Sequence, residues 1–231
     1  GCPYKCTFCS EGSDYYNRIH YHSLDYVKEE LDYIAERVNP SVGMTIADSN
    51  LGMYKQDVEI ALHLRKLQDK YNWPMQIAVS TGKSQLPRIK KVAEILGNAF
   101  KITNAIQSRS NDVLDAIKRK NAATLDEFMK NLDSVSSPEI ILPLPKETKK
   151  SFMDGLNGLL DIRAGKTPVQ FTIYPALLLN NTEMNKDVKN KKLDLRAKYR
   201  QHHNLIGWVA GELVCETERN IYSTDTMNEN D

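Results

Sequence analysis

Short apolar, β-branched runs alternate with stretches of helical periodicity along most of this chain. Positions 42–47, 76–79, 100–106, 139–142 and 169–174 form the runs, each followed by polar or turn residues, and each predicts a buried strand. Between them the apolar spacing changes to that of a helix face. Val27, Leu31, Ile34 and Val38 define a first helix, with Ser23 as its N-cap and Pro40 as its stop. Val58, Leu62, Arg65 and Asp69 belong to a second that ends before Pro74. Ile89, Val92 and Leu96 mark a third, closed by Gly97, and Asn111 caps a short fourth through Ile117. Thr124 to Glu127 reads as a capping box opening another, and Thr148 precedes a helix carrying Phe152, Leu156 and Leu159.

Strands separated by helices predict right-handed βαβ units and a parallel sheet. The strand starts recur at roughly the length of a βα unit. That favours a full or partial β/α barrel over an open doubly wound sheet. The pattern changes after Tyr174. Positions 186–200 carry seven basic residues against two acidic ones, which predicts a solvated basic helix or linker, with a nucleic-acid patch as the alternative. Positions 216–231 are polar and acidic and predict a frayed end. The expected division is a core over 1–184 and an appended segment over 185–231.

Composition narrows the class without naming a function. With 231 residues, 41% hydrophobic and 26% charged, the chain is long enough for a real core and is neither collagenous nor disordered throughout. A net charge of +1 provides no global field toward nucleic acid or acidic lipid. No apolar run is long enough to span a membrane and no signal peptide opens the chain, so a cytoplasmic location is expected.

The cysteines are distributed unevenly. Cys2, Cys6 and Cys9 fall within eight residues, whereas Cys215 stands far away among Leu213, Val214 and Glu216, where it reads as a small packed residue. Three thiolates in C-x-x-x-C-x-x-C spacing, with Phe8 before the last, can each hold one iron of a 4Fe–4S cubane and leave the fourth iron open. Zinc would need a fourth ligand from His20, His22 or Cys215, and a non-catalytic zinc module is the alternative of a different class. A redox Cys6-x-x-Cys9 pair would leave Cys2 unexplained. His202 and His203 read as polar surface, and Trp73 and Trp208 as packing residues.

With that motif the chain resembles the radical S-adenosylmethionine superfamily. The resemblance implies a partial (β/α)6 barrel whose first strand, expected just before Gly1, is missing, so that the chain reads as a fragment of a longer enzyme. It implies a 4Fe–4S cluster on Cys2, Cys6 and Cys9, and S-adenosylmethionine chelating the open iron. An external electron donor would reduce the cluster, and reductive cleavage would give a 5′-deoxyadenosyl radical that attacks a small-molecule substrate.

Other positions follow from the same resemblance, motif by motif. Asp48 and Asn50, after the strand over 42–47, match the element that binds the methionine amino group; on their own they read as an Asx turn. Gln107 and Ser108 match the ribose-binding element. Arg119 matches an arginine that pairs the methionine carboxylate, against a plain surface reading within Lys118-Arg119-Lys120. Ser80 and Thr81 end the third strand at the same rim. Positions 140–148 resemble the fifth-strand element, with Pro143 and Lys146 replacing its two glycines. Tyr174 and Ala176, with backbone at Phe8, would border the adenine, and Asn181-Thr182-Glu183 fits the loop that follows.

The Asp48-Ser49-Asn50-Leu51-Gly52-Met53 stretch looks like the branch that carries an N-terminal cobalamin-binding domain, which makes cobalamin a further expected cofactor. A methylthiotransferase-like enzyme acting on tRNA through the basic stretch is the alternative within the superfamily.

Overall fold

The computed structural model of the protein describes residues 1–119, 135–163 and 171–231. Within these the chain divides into two compact units. The first holds residues 1–2, 19–104 and 135–138, and the second holds residues 3–18, 105–119, 139–163 and 171–231. The expected helix opening at Thr124 lies outside the described residues.

In the first unit, helix α1 (Leu24–Ala35) starts where Ser23 accepts a hydrogen bond from the Tyr26 N–H at 3.2 Å. Strand β1 (Met44–Thr45), helix α2 (Lys55–Tyr71), strand β2 (Ile77–Ala78) and helix α3 (Leu86–Leu96) follow. β1 and β2 pair in parallel, and single parallel bridges join Leu51 to Thr81 and Ile77 to Phe100. Leu31, Leu64, Leu67, Trp73, Ile89, Val92, Leu96 and Phe100 form the core. Trp73 packs as expected, and its Nε1–H donates to the Val42 carbonyl at 2.8 Å. The buried stripe of α2 runs through Ala61, Leu64 and Leu67, and Leu62, expected on that face, is exposed.

Strand β3 (Ile102–Gln107) leads into the second unit and is followed by helix α4 (Asn111–Ala116). Asn111 is the first helical residue and Ser110 the N-cap, one position earlier than expected. Strand β4 (Val135–Leu142), helix α5 (Lys149–Arg163) and strand β5 (Thr172–Pro175) complete a three-stranded sheet ordered β3-β4-β5, in which β4 and β5 are parallel. Thr148 and Ser151 cap α5 reciprocally: the Ser151 N–H donates to Thr148 Oγ1 at 3.0 Å and the Thr148 N–H donates to Ser151 Oγ at 2.9 Å. The architecture is α/β.

The end of the chain corrects two expectations. Helix α6 (Glu183–Lys189) uses part of the basic stretch, but strands β6 (Arg196–Val209) and β7 (Glu212–Ser223) then form a long antiparallel hairpin. Tyr199, Leu205, Ile206, Trp208, Val209, Leu213 and Val214 supply the β-forming residues, and Ala210 and Gly211, with φ of 51° and 84°, make the two-residue turn. Nor does the end fray. The Ile221 N–H donates to the Ala176 carbonyl at 2.8 Å and the Leu178 N–H to the Arg219 carbonyl at 2.9 Å, so β7 pairs with the residues that continue β5. Ile221 enters the core of this unit beside Val113, Leu114, Leu144, Ala176 and Met184, and Met227 is buried as well. Acidic side chains at the surface therefore accompany an anchored backbone. Trp208 and Cys215, expected to pack, are both exposed on the hairpin.

Candidate active site

Backbone hydrogen bonds pin the cysteine loop. Thr7 donates its N–H to the Ile117 carbonyl at 3.1 Å and receives the Met184 N–H on its own carbonyl at 2.8 Å. The Cys9 N–H returns to the Cys6 carbonyl at 3.2 Å. A Cβ at Gly12 would collide with that same carbonyl, so the loop closes only with glycine there. None of the four cysteines is in a disulfide; Cys2 and Cys6 are buried and Cys9 is half-buried. Among the described residues no three His, Cys, Asp or Glu side chains converge as they would around a single ion. A purely soft, thiolate donor set is the kind that suits an iron–sulfur cubane.

Arg119 is not a plain surface residue. Its backbone N–H donates to the Leu114 carbonyl at 2.7 Å, Nη2 bonds the Ala105 carbonyl, and Nη1 lies 3.9 Å from Cys6 Sγ. The guanidinium therefore stands beside the cysteine loop, a fixed cation next to the Cys6 sulfur.

Gln107 is buried and adopts φ of 68°, a conformation that costs a non-glycine residue energy and that recurs at functional sites. Ser108 is buried next to it, and its hydroxyl donates to Glu147 Oε2 at 2.6 Å. The Glu147 side chain is fully buried and also accepts from the Ser151 hydroxyl, while its carbonyl accepts from Thr226 Oγ1 at 2.6 Å. Ser108 thus belongs to an internal network that ties the end of β3 to the start of α5. Lys146, which stands where a glycine was expected, keeps the left-handed backbone with φ of 68° and pairs with Asp225 at 3.1 Å. Pro143 follows Leu142 through a cis peptide bond.

Phe8, Gln107, Tyr174 and Ala176 come together: all four line one cavity of about 380 Å³ within the second unit. Ile141, Leu144, Leu177, Leu179 and Met184 make the rest of its wall largely apolar. Ala176 has its own backbone engaged on both sides, donating to Leu142 at 2.8 Å and accepting from Ile221. The hairpin adds Arg200, His202 and Glu218 to the same wall. No motif in the sequence marks these three, and His202, expected on a polar surface, lines the cavity instead; the side chain of His203 lies outside what the structure describes. The only signal was a β-rich stretch with Gly211 near its middle, masked by the charge of positions 186–200.

Asp48 and Asn50 lie in the first unit. Asp48 Oδ1 accepts the Asn50 N–H at 2.6 Å, an Asx turn. The Asn50 amide is buried, and neither its nitrogen nor its oxygen has a partner among the described residues. Thr7 Oγ1, beside Cys6, is in the same condition. Buried polar atoms left unpaired cost about 1–3 kcal/mol each, so both positions are suited to a ligand that supplies the missing bonds. Thr81 is used internally, donating its hydroxyl to the Thr103 carbonyl at 2.6 Å. Thr182 caps α6 through the Asn185 N–H at 3.3 Å.

Residues 1–157 match the radical SAM superfamily, and the chain belongs to that family. The family's cofactors are a 4Fe–4S cluster and S-adenosylmethionine. Among curated relatives, a cobalamin-dependent radical SAM methyltransferase, TokK, from Streptomyces tokunonensis is 30% identical over 85% of this chain and 29% of its own length. A 2-(S-pantetheinyl)-carbapenam-3-carboxylate methyltransferase from Streptantibioticus cattleyicolor is 30% identical over 79% of this chain and 28% of its own length. The chain therefore spans under a third of these relatives. A solved structure of the radical S-adenosylmethionine methyltransferase TsrM from Kitasatospora setae, with tryptophan and a SAM analogue bound, superposes with a TM-score of 0.61. It covers 88% of this chain and 40% of its own, at 12% identity, and shares the fold. Among the described residues no helix is long and apolar enough to cross a membrane.

Proposed function

We propose that this chain is the catalytic core of a radical SAM enzyme, a partial β/α barrel that binds the cluster through Cys2, Cys6 and Cys9 and S-adenosylmethionine at the open iron. The observation that carries the reading is the cavity shared by Phe8, Gln107, Tyr174 and Ala176, four positions from three distant motifs. When bound, the reduced cluster supplies the electron that cleaves S-adenosylmethionine to methionine and a 5′-deoxyadenosyl radical. The chain's own part is to bind and exclude water. The apolar wall keeps the cavity dry, Gln107 meets the ribose, and Phe8 and Tyr174 border the base. Arg119 balances the charge beside Cys6, and Asp48 and Asn50 serve the methionine amino group. Ser108 acts through Glu147, as a positioning residue for Gln107.

The relatives support methyl transfer with cobalamin to a small-molecule substrate as the overall reaction. The basic stretch lends little to the tRNA alternative, because Lys192, Lys198 and Arg200 pair with Asp187, Glu229 and Glu218. The test is anaerobic reconstitution with iron and sulfide, followed by reductant and S-adenosylmethionine. The expected product is 5′-deoxyadenosine, and its absence would overturn the reading. One zinc and no iron in anaerobically purified protein would favour a zinc module instead.

A further inference from the structure

The hairpin brings to the cavity a charged group that no motif accounts for. Glu218 on β7 stands directly opposite Arg200 on β6 and takes the Arg200 Nε–H on Oε1 at 2.5 Å. Its second oxygen, Oε2, faces His202 Nε2 at 4.0 Å, beyond hydrogen-bond length. All three residues line the cavity with Phe8 and Tyr174. We infer that Glu218 reads the base of the bound nucleoside by accepting a hydrogen bond from its exocyclic amine, with Arg200 and His202 as the positioning residues that aim it. This rests on the reading that the cavity takes S-adenosylmethionine.

Three observations carry the inference. The first is burial with spare capacity. The Glu218 side chain is only 14% exposed, yet a carboxylate offers about four acceptor sites and Arg200 Nε–H fills one. Oε2 has no hydrogen-bond donor among the described residues, and its wall is otherwise largely apolar, so a ligand N–H is the partner that it lacks.

The second is a fault in the hairpin at this point. Gln201 pairs with Thr217 and Ile206 with Cys215, so residues 202–205 oppose Glu216 alone. Bulges of this kind re-aim side chains beside sites, and this one begins at His202, where the strand meets the cavity. The third is anchorage. The carbonyl of Arg219, next in sequence, accepts the Leu178 N–H at 2.9 Å, which fixes Glu218 against the segment that also presents Tyr174 and Ala176. A flat ring bordered by Phe8 and Tyr174 and edged by a carboxylate is the environment of an amino-bearing base rather than an oxo-bearing one. Glu139 lines the same cavity but has no cation paired with it among the described residues, which makes it the control.

The experiment compares S-adenosylhomocysteine with its deaminated analogue, in which a carbonyl replaces the 6-amino group, by equilibrium dialysis on the anaerobically reconstituted protein. The wild type is expected to prefer the amine-bearing ligand. Glu218→Gln should weaken it on the order of ten- to a hundredfold while barely changing the analogue. Glu139→Gln should keep the preference, and unchanged cluster absorption and circular dichroism check that each variant is folded. Equal losses for both ligands in Glu218→Gln, no loss, or a preference lost in Glu139→Gln instead would each overturn the assignment while leaving the cofactor site intact. A folded, cluster-bearing wild type that binds neither ligand would overturn both readings.

Discussion

The Arg119 guanidinium lies 3.9 Å from the Cys6 sulfur, although 113 positions separate the two residues in the chain. A cation fixed there would favour adding an electron to a cluster held by Cys6, as proposed above. Arg119→Met should lower the reduction potential of the reconstituted cluster by on the order of tens of mV, because attraction for the incoming electron is lost. Arg119→Lys should restore part of the difference. Potentiometric titration checks both. An unchanged potential would remove Arg119 from the electrostatics of the cluster.

Glu147 is the hub of the second unit. It is fully buried, accepts from Ser108 and Ser151, and holds Thr226 through its carbonyl. Glu147→Ala leaves the buried Ser108 hydroxyl without its acceptor, whereas Ser151 keeps the Thr148 carbonyl at 3.0 Å, and should cost about 2–3 kcal/mol. Ser108→Ala removes one bond of the same network and should cost about 1–2 kcal/mol. Chemical denaturation measures both, and the double variant should lose less than the sum, because the two residues share one interaction.

Asp57 at the start of α2 is buried and accepts the Gly52 N–H at 2.8 Å and the Tyr54 N–H at 2.9 Å on one oxygen. Burial raises its carboxyl above the ordinary aspartate value by more than the bonds from Tyr54 and Gly52 lower it. The folded protein therefore holds this proton more tightly than the unfolded chain does. The resulting stability is fully present below the unfolded value of about 4 and is lost as pH rises through the folded value. Asp57→Asn should flatten that part of the stability–pH profile, as thermal melts across the mildly acidic range would show.

The hairpin gives a pair of contrasting variants. Ile221 is buried against Val113, Leu114 and Met184, so Ile221→Ala should cost about 2–5 kcal/mol. Trp208 is 74% exposed, and Trp208→Ser should stay within about 0.5 kcal/mol of wild type. A frayed chain end would give the opposite ranking.

Local chemistry was legible in the sequence and long-range pairing was not. Ser23, Thr148 and Gly97 announced helix ends because caps act within a few residues. Five of the seven described strands were visible as β-branched runs, although β1 and β2 proved to be two residues each. Phe8, Gln107, Tyr174 and Ala176 were visible because each belongs to a short motif, and they line one cavity. Arg200, His202 and Glu218 reach that cavity only through a cross-strand register, and no local spacing encodes one. The Ala210–Gly211 turn lacks the Asn or Asp that signals such a hairpin, and seven basic residues before it suggested a solvated helix. Burial of Glu147 and exposure of Leu62 depend on what packs alongside them, which periodicity alone does not specify.

The central claim is that Cys2, Cys6 and Cys9 hold a cubane with one open iron that S-adenosylmethionine occupies. Electron paramagnetic resonance of the anaerobically reconstituted, reduced protein tests it most directly. The account predicts a 4Fe–4S signal that changes when S-adenosylmethionine is added and that is absent from the Cys2→Ala, Cys6→Ala and Cys9→Ala variants. A cluster signal indifferent to S-adenosylmethionine, or one that survives loss of any of these cysteines, would contradict it.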